Sequence, residues 1–264
     1  MKRLAVLGQP VSHSRSPAMH NAALAALDLG DSWGYEAIEV GPEDFADLVV
    51  SMPRQGFVGA NVTVPHKGAA LAVADELSEV AREVGAANTL SFEDGVIRAF
   101  NTDAEGFLGA LPEPAGGKRA LVLGAGGAAR AVVWALVREG AAVEVWNRTE
   151  LRSTNLCAEL GGTATASPDP GSAELIVNTT AVGLGGEDPF AELPLSAPAL
   201  GQGQTVVDLV YGAERTALLA AADAAGATTV DGIEILARQG AISLRIWTGE
   251  DPPLDVMRFA ARGG

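Results

Sequence analysis

Asn61, Thr63 and Lys67 fall within the seven residues Asn61-Val62-Thr63-Val64-Pro65-His66-Lys67. Read as a strand, the segment sets Asn61 and Thr63 on one face and turns Val62 and Val64 into the core. Pro65 then ends the strand and exposes Lys67 beyond it. Two hydrogen-bonding side chains therefore stand beside an ammonium, an arrangement suited to a small polar ligand. Lysine is scarce here, since Lys2, Lys67 and Lys118 are the only ones among 18 Lys and Arg residues, so a lysine inside a motif draws attention. Upstream, Ser14 and Ser16 precede Pro17 at the start of a helical stretch, where hydroxyls and the positive helix end can hold a carboxylate. Plain N-capping by Ser16 also accounts for that pair. Asn88, in Ala87-Asn88-Thr89-Leu90, and Asp103, in Asn101-Thr102-Asp103, come at strand ends or turns, where ordinary turn chemistry is the simpler reading of each taken alone.

A second chemistry is spelled by Gly124-Ala125-Gly126-Gly127-Ala128-Ala129 after the apolar run Ala120 to Leu123. This is G-x-G-x-x-A between a strand and a helix. Its first glycine permits the tight turn, its second admits a pyrophosphate, and its small third residue lets helix and strand pack. The alternative is an ordinary strand-to-helix turn. The next strand, Ala142 to Trp146, ends where an NAD enzyme carries an acid for the ribose hydroxyls, but here stand Asn147-Arg148-Thr149 and, one turn on, Arg152. Two guanidinium groups suit a 2′-phosphate, and so NADP, unless both are only solvated helix-start residues.

These segments need a frame. The 264 residues are 48% hydrophobic and 19% charged, enough for one large or two ordinary domains. Apolar strand-like runs alternate with Ala/Leu-rich helical stretches, which predicts α/β architecture with mostly parallel sheets. Pro112 to Lys118 reads as a segment between domains, and 194–204 as a surface loop. A net charge of −15 argues against a nucleic-acid partner. No apolar run reaches the roughly 20 residues of a membrane span, and the expectation is a cytoplasmic protein that does not bind membranes. The single cysteine, Cys157, reads as a buried structural thiol. His13, His20 and His66 lack metal-ligand spacing, so no metal site is expected and loop-orienting hydrogen bonds are their expected role.

Taken in order, Gly8-Gln9-Pro10-Val11-Ser12-His13-Ser14-Arg15-Ser16-Pro17 through His20-Asn21, then Asn61 to Lys67, Ala87 to Leu90, Asn101 to Asp103 and Gly124 to Arg130 resemble the shikimate dehydrogenase family. The similarity continues through Asn147-Arg148-Thr149, Val210-Tyr211 and Gln239-Gly240-Ala241 to Trp247-Thr248-Gly249. It spans essentially the whole chain. Two departures occur. Gly212-Ala213 stands where the family often has N-P, and Leu184 stands where a methionine follows the glycine after N-A-T; both fall by the nicotinamide loops.

The resemblance implies an α/β fold of two domains: a shikimate-binding domain, 1–103 plus 232–264, and a Rossmann-type NADP domain, 104–231. It implies Ser14, Ser16, Thr63, Asn88, Asp103, Tyr211 and Gln239 around the substrate, with Asn61 nearby and Lys67 as the acid/base residue beside Asp103. For the cofactor it implies Gly124, Ala125, Gly126, Gly127 and Ala128, then Asn147, Arg148, Thr149 and Arg152, then Leu209 and Gly232, and more weakly Glu79. The implied reaction is reversible NADP-dependent reduction of 3-dehydroshikimate to shikimate, in aromatic amino-acid biosynthesis, by a monomer or homodimer. A quinate/shikimate dehydrogenase of broader substrate and cofactor use is the nearest alternative, and a non-catalytic ligand sensor the alternative from another class.

Overall fold

Leu4-Ala5-Val6-Leu7 is an unbroken apolar run because the strand it forms, β1 (Lys2–Gly8), lies between two parallel neighbours and is buried throughout its second half. The neighbours are β2 (Trp33–Glu39) and β3 (Phe57–Val62), reached through helices α1 (Ser16–Ala26) and α2 (Phe45–Ser51). The chain continues through α3 (Ala69–Val73), β4 (Glu76–Leu77), α4 (Glu79–Val84), β5 (Thr89–Glu93) and β6 (Val96–Phe100), completing a sheet of order β2-β1-β3-β5-β6-β4. This sheet is mixed. β5 runs antiparallel to both β3 and β6, an exception within pairings that are otherwise parallel, so the mostly parallel expectation holds. The cause is local: Asp94 and Gly95 both take positive φ (55° and 77°) between Glu93 and its partner Val96, the geometry of a two-residue hairpin turn.

After α5 (Asp103–Ala110) come β7 (Arg119–Leu123), α6 (Gly127–Arg138), β8 (Ala142–Trp146), α7 (Glu150–Leu160), β9 (Thr163–Ala164) and β10 (Leu175–Asn178). They are followed by α8 (Pro189–Glu192), β11 (Thr205–Asp208), α9 (Ala217–Ala224) and β12 (Thr228–Val230). These strands form a second sheet, β12-β11-β10-β7-β8-β9, parallel at every pairing. This is the doubly wound order, which reverses beside β7 and opens a ligand crevice at the carboxyl ends there. α10 (Gly232–Thr248) and α11 (Leu254–Ala261) end the chain, α11 packing on α1.

This computed structural model describes residues 1–212 and 214–263. Ala213, half of the Gly212-Ala213 departure, and Gly264, the end of the expected substrate domain, lie outside the described residues. Two compact units emerge, Met1–Gly106 with Leu236–Gly264, and Phe107–Ile235. Leu7, Phe45, Met52, Phe57 and Leu90 centre a core of the first. Leu121, Leu123, Ile176, Val206 and Leu218 centre one of the second. The 112–118 segment, expected between domains, lies inside the second unit and leads into β7. Cys157 is only partly buried on α7, and that burial raises its thiol pKa. No helix among the described residues is long and apolar enough to cross a membrane.

Candidate functional site

Strand direction collects the polar segments of the first unit. β1, β3 and β6 end, and β5 begins, on the same side of the sheet, because β5 alone of these four runs the other way. The Ser14–Ser16 turn after β1, Thr63 and Lys67 after β3, Asn88 before β5 and Asp103 after β6 therefore all leave one end of the sheet. The strand carrying Asn61 stops at Val62, so Val64 is 66% exposed instead of entering the core. Beyond Val62 the backbone turns, with the Thr63 N–H donating to the Leu7 carbonyl and the His66 N–H to the Thr63 carbonyl. Lys67 is correspondingly not the exposed residue expected. Its side chain is 13% accessible, and its Nζ donates to Asp103 Oδ2 at 2.6 Å.

The other carboxylate oxygen, Asp103 Oδ1, accepts from Asn88 Nδ2 at 2.9 Å. Asn88 is oriented by the Thr102 N–H, which donates to its Oδ1 at 2.7 Å. Its Nδ2 also faces Thr102 Oγ1 at 2.8 Å and Gln239 Oε1 at 3.0 Å. An amide nitrogen has two hydrogens, so three acceptors leave one oxygen's demand for an incoming hydroxyl to meet. Gln239, on α10, is held by its own Nε2 donating to the Leu236 carbonyl. The hydroxyls of Ser16, which is buried, and Thr63, which is half-buried, make no hydrogen bond among the described residues. Arg15, not Ser16, is the N-cap residue of α1, so the capping reading is set aside; Ser14 Oγ instead accepts from the Ser16 N–H at 3.3 Å.

Behind this group lies a polar layer that sequence reasoning missed. Asn61 accepts from the Tyr35 hydroxyl at 2.7 Å and donates toward the Asn88 carbonyl, Thr89 Oγ1 and Ser243 Oγ at 3.0–3.1 Å. Asn61 is thus engaged within the protein and braces Asn88. Ser243, fully buried on α10, donates to the Gln239 carbonyl and lies 2.8 Å from Thr89 Oγ1 and 3.2 Å from Thr102 Oγ1. Thr89 and Thr102 lie inside the Ala87–Leu90 and Asn101–Asp103 segments but had no role assigned to them there, and no short motif marks Ser243; Tyr35 carried only the generic signal of an aromatic in a strand.

The histidines divide. His66 Nε2 lies 2.8 Å from the Val40 carbonyl, the loop-orienting role expected, with Phe45 stacked on its ring. His20 makes no such bond. Its ring stacks on Tyr35 at 4.2 Å, fully buried, with neither nitrogen hydrogen-bonded. Burial drives its pKa from 6.5 to about 3, the nearby Asn61 side chain opposing weakly. The unfolded chain takes up a proton below about pH 6.5 that the native state refuses until about pH 3. Stability from this group is therefore complete above pH 6.5 and falls with pH through that window, by about 1.4 kcal/mol per unit. In urea titrations at pH 6.5, 5.5 and 4.5, with Trp fluorescence as the readout, a His20→Phe variant should lose stability less steeply than the parent by roughly this slope. Parallel slopes would show that His20 titrates normally.

In the second unit, Gly124 follows β7 with φ +111°, and a Cβ there would lie 2.5 Å from Thr179 Oγ1. Gly126 precedes α6 in extended conformation without a side-chain cap, and a Cβ on it would meet nothing within 4 Å. The first N–H groups of this 12-residue helix, from Gly127 and Ala128, thus have no side-chain acceptor among the described residues and lie beside open space, a fit for a pyrophosphate. Ala129, fully buried, is the close-packing third position. At the end of β8, Asn147 Nδ2 donates to the Thr149 carbonyl at 2.9 Å. Arg148 and Arg152 are exposed and form no ion pair among the described residues. Leu209 and Gly232 meet, since a Cβ on Gly232 would lie 2.5 Å from the Leu209 carbonyl oxygen. Tyr211 follows Leu209 in this second unit, whereas Glu79 is exposed on the first turn of α4 in the first unit. Among the described residues no group of three or more His, Cys, Asp or Glu could hold a metal ion.

Residues 6–90 match the shikimate dehydrogenase substrate binding domain, 111–176 the shikimate / quinate 5-dehydrogenase family, and 232–262 the shikimate 5′-dehydrogenase C-terminal domain. A shikimate dehydrogenase (NADP(+)) of Methanocella arvoryzae is 48% identical, the alignment covering 97% of each chain. The chain belongs to the shikimate dehydrogenase family. Among solved members, shikimate 5-dehydrogenase from Thermus thermophilus, in complex with NADP(H) and shikimate, is 44% identical with a TM-score of 0.91, covering 100% of this chain and 99% of that one. The family's fold is therefore this fold, an N-terminal substrate domain with a Rossmann-type domain. A 5-ketofructose reductase of Gluconobacter sp. strain CHM43 shares it at 32% identity and TM-score 0.88, over 99% of this chain and 98% of that one. Side chains, not the fold, must therefore select the substrate.

Proposed function

We propose that this chain is an NADP-dependent shikimate dehydrogenase, interconverting 3-dehydroshikimate and shikimate for aromatic amino-acid synthesis. The observation that carries the reading is the Lys67–Asp103 pair with the Asn88 amide on the second carboxylate oxygen. In this proposal 1–103 and 232–264 form the shikimate-binding domain and 104–231 the NADP domain. Ser14, Ser16 and Thr63 bind the carboxylate and hydroxyls, Asn88, Asp103 and Gln239 hold the ring hydroxyls, and Asn61 braces them. The free hydroxyls of Ser16 and Thr63 support this. Tyr211 joins the substrate set, and Glu79 the cofactor set, on family resemblance alone.

NADP would be held by Gly124 to Ala128 at its pyrophosphate, by Asn147, Arg148, Thr149 and Arg152 at its phosphorylated ribose, and by Leu209 and Gly232 toward its nicotinamide. Bound there, it would supply or accept the hydride. The protein must move the proton. Lys67, as an ammonium, gives its Nζ proton to the ketone oxygen during reduction and, as an amine, takes a proton from the hydroxyl during oxidation. Asp103 holds the lysine at 2.6 Å and accepts from the substrate hydroxyl, while Asn88 fixes Asp103. The partly accessible Lys67 can then exchange its proton with water. The net charge of −15 supports a protein that does not bind nucleic acid, and the same reading puts it in the cytoplasm, as a monomer or homodimer.

The test is absorbance at the reduced-nicotinamide band with shikimate or quinate, each against NADP or NAD. Turnover should be strong with shikimate and NADP only. Comparable rates with quinate or NAD would move the chain to the broader dehydrogenase, and silence in all four reactions would favour a sensor.

A further inference from the structure

The second unit buries a carboxylate that the reaction does not use. Asp208 ends β11 and is 1% exposed. No cation among the described residues pairs with it. It instead accepts three hydrogen bonds: from Asn178 Nδ2 at 2.9 Å and the Val210 N–H at 3.1 Å on Oδ1, and from the Thr216 hydroxyl at 2.7 Å on Oδ2. Burial pushes its carboxyl pKa up while these three donors oppose the shift. A buried anion without a counter-ion is costly, and it persists where its hydrogen bonds hold a specific geometry.

That geometry joins two loops. Asn178 ends β10, and its own Oδ1 accepts from the Thr180 N–H and hydroxyl, while Thr180 Oγ1 accepts from the Val182 N–H. Thr179, between them, donates its hydroxyl to the Leu123 carbonyl beside the Gly124 turn. On the other side, the Leu209 N–H donates to the Asn178 carbonyl, and Leu209 and Val210 abut Gly232. In the doubly wound order the glycine turn after β7 takes the pyrophosphate and the end of β8 the adenosine ribose, so the ends of β10 and β11 are left for the nicotinamide half.

We propose that Asp208 is a positioning residue for NADP, its carboxylate locking the β10 and β11 loops together so that both face the nicotinamide half of the cofactor. The inference rests on the NADP reading above. Asparagine at 208 keeps an oxygen for Asn178 and the Val210 N–H but loses the charge, and it replaces the oxygen that accepts from Thr216 with an NH₂, so that contact persists only if the Thr216 hydroxyl turns from donor to acceptor.

Full-length parent and Asp208→Asn are titrated with NADPH, followed by its fluorescence, and with adenosine 2′,5′-bisphosphate, which lacks the nicotinamide half. The Kd for NADPH should rise about tenfold or more in Asp208→Asn, with that for the bisphosphate unchanged within about twofold. Thr216→Val should shift NADPH in the same direction and Thr216→Ser should not, which tests the idea even if Asp208→Asn fails to fold. NADPH bound as tightly by Asp208→Asn and Thr216→Val as by the parent would overturn the inference. Equal weakening of both ligands would also overturn it, as the mark of a merely structural carboxylate. A parent that binds neither ligand would sink the NADP reading itself.

Discussion

Replacing Lys67 by alanine should lower kcat by about 10²- to 10⁴-fold while the KM for shikimate changes little. Lys67 Nζ is the proton carrier in the proposed step, and its single partner among the described residues is Asp103 Oδ2 at 2.6 Å. In the proposed reading substrate binding is spread over other groups, among them Ser16, Thr63, Asn88 and Gln239, so it should survive the loss. Lys67→Arg separates charge from proton transfer. Arginine keeps a cation beside Asp103 but does not deprotonate in proteins, so turnover should fall nearly as far as with alanine. Near-normal steady-state turnover in Lys67→Ala would remove Lys67 from the chemistry. A recovered rate in Lys67→Arg alone would leave it only an electrostatic role.

The second large effect is expected at the cofactor. Arg148→Ala should raise the KM for NADP by about 10- to 100-fold, and the double replacement of Arg148 and Arg152 further, with the slow reaction of NAD unchanged. Both guanidinium groups are exposed and form no ion pair among the described residues, so their charge is available to a 2′-phosphate. Exposure also makes the contribution sensitive to salt, and the parent's preference for NADP over NAD should shrink between about 0.05 and 0.5 M NaCl as the Debye length shortens. Initial rates with both cofactors at the two salt concentrations test this. If the variant's KM for NADP stays where the parent's is, the arginines are only solvated helix-start residues, and NADP selectivity lies elsewhere.

The α/β class, the strand β8 and the strand-turn-helix at Gly124 were legible because each is a local pattern: alternation, an apolar run, or glycines where the backbone must turn. The family was legible because several short motifs recur in order over the whole chain. The antiparallel β5 was missed although Asp94-Gly95 signalled its hairpin. Val64 was misplaced because alternation in sequence does not say where a strand loses its partner.

What the sequence determined by itself is therefore the set of chemical parts and the elements that carry them. Tertiary structure decided which parts meet. Asn88 touches Gln239 across 151 positions and Asn61 touches Ser243 across 182, and no local pattern encodes such a pairing. The same holds for Asp208, which joins Asn178 and Thr216 only because parallel strands bring the ends of β10 and β11 side by side. Burial was likewise decided in three dimensions. Packing on Tyr35 takes His20 out of water and lowers its pKa, and the converging strand ends turn Lys67 from an exposed ammonium into one arm of a partly buried pair.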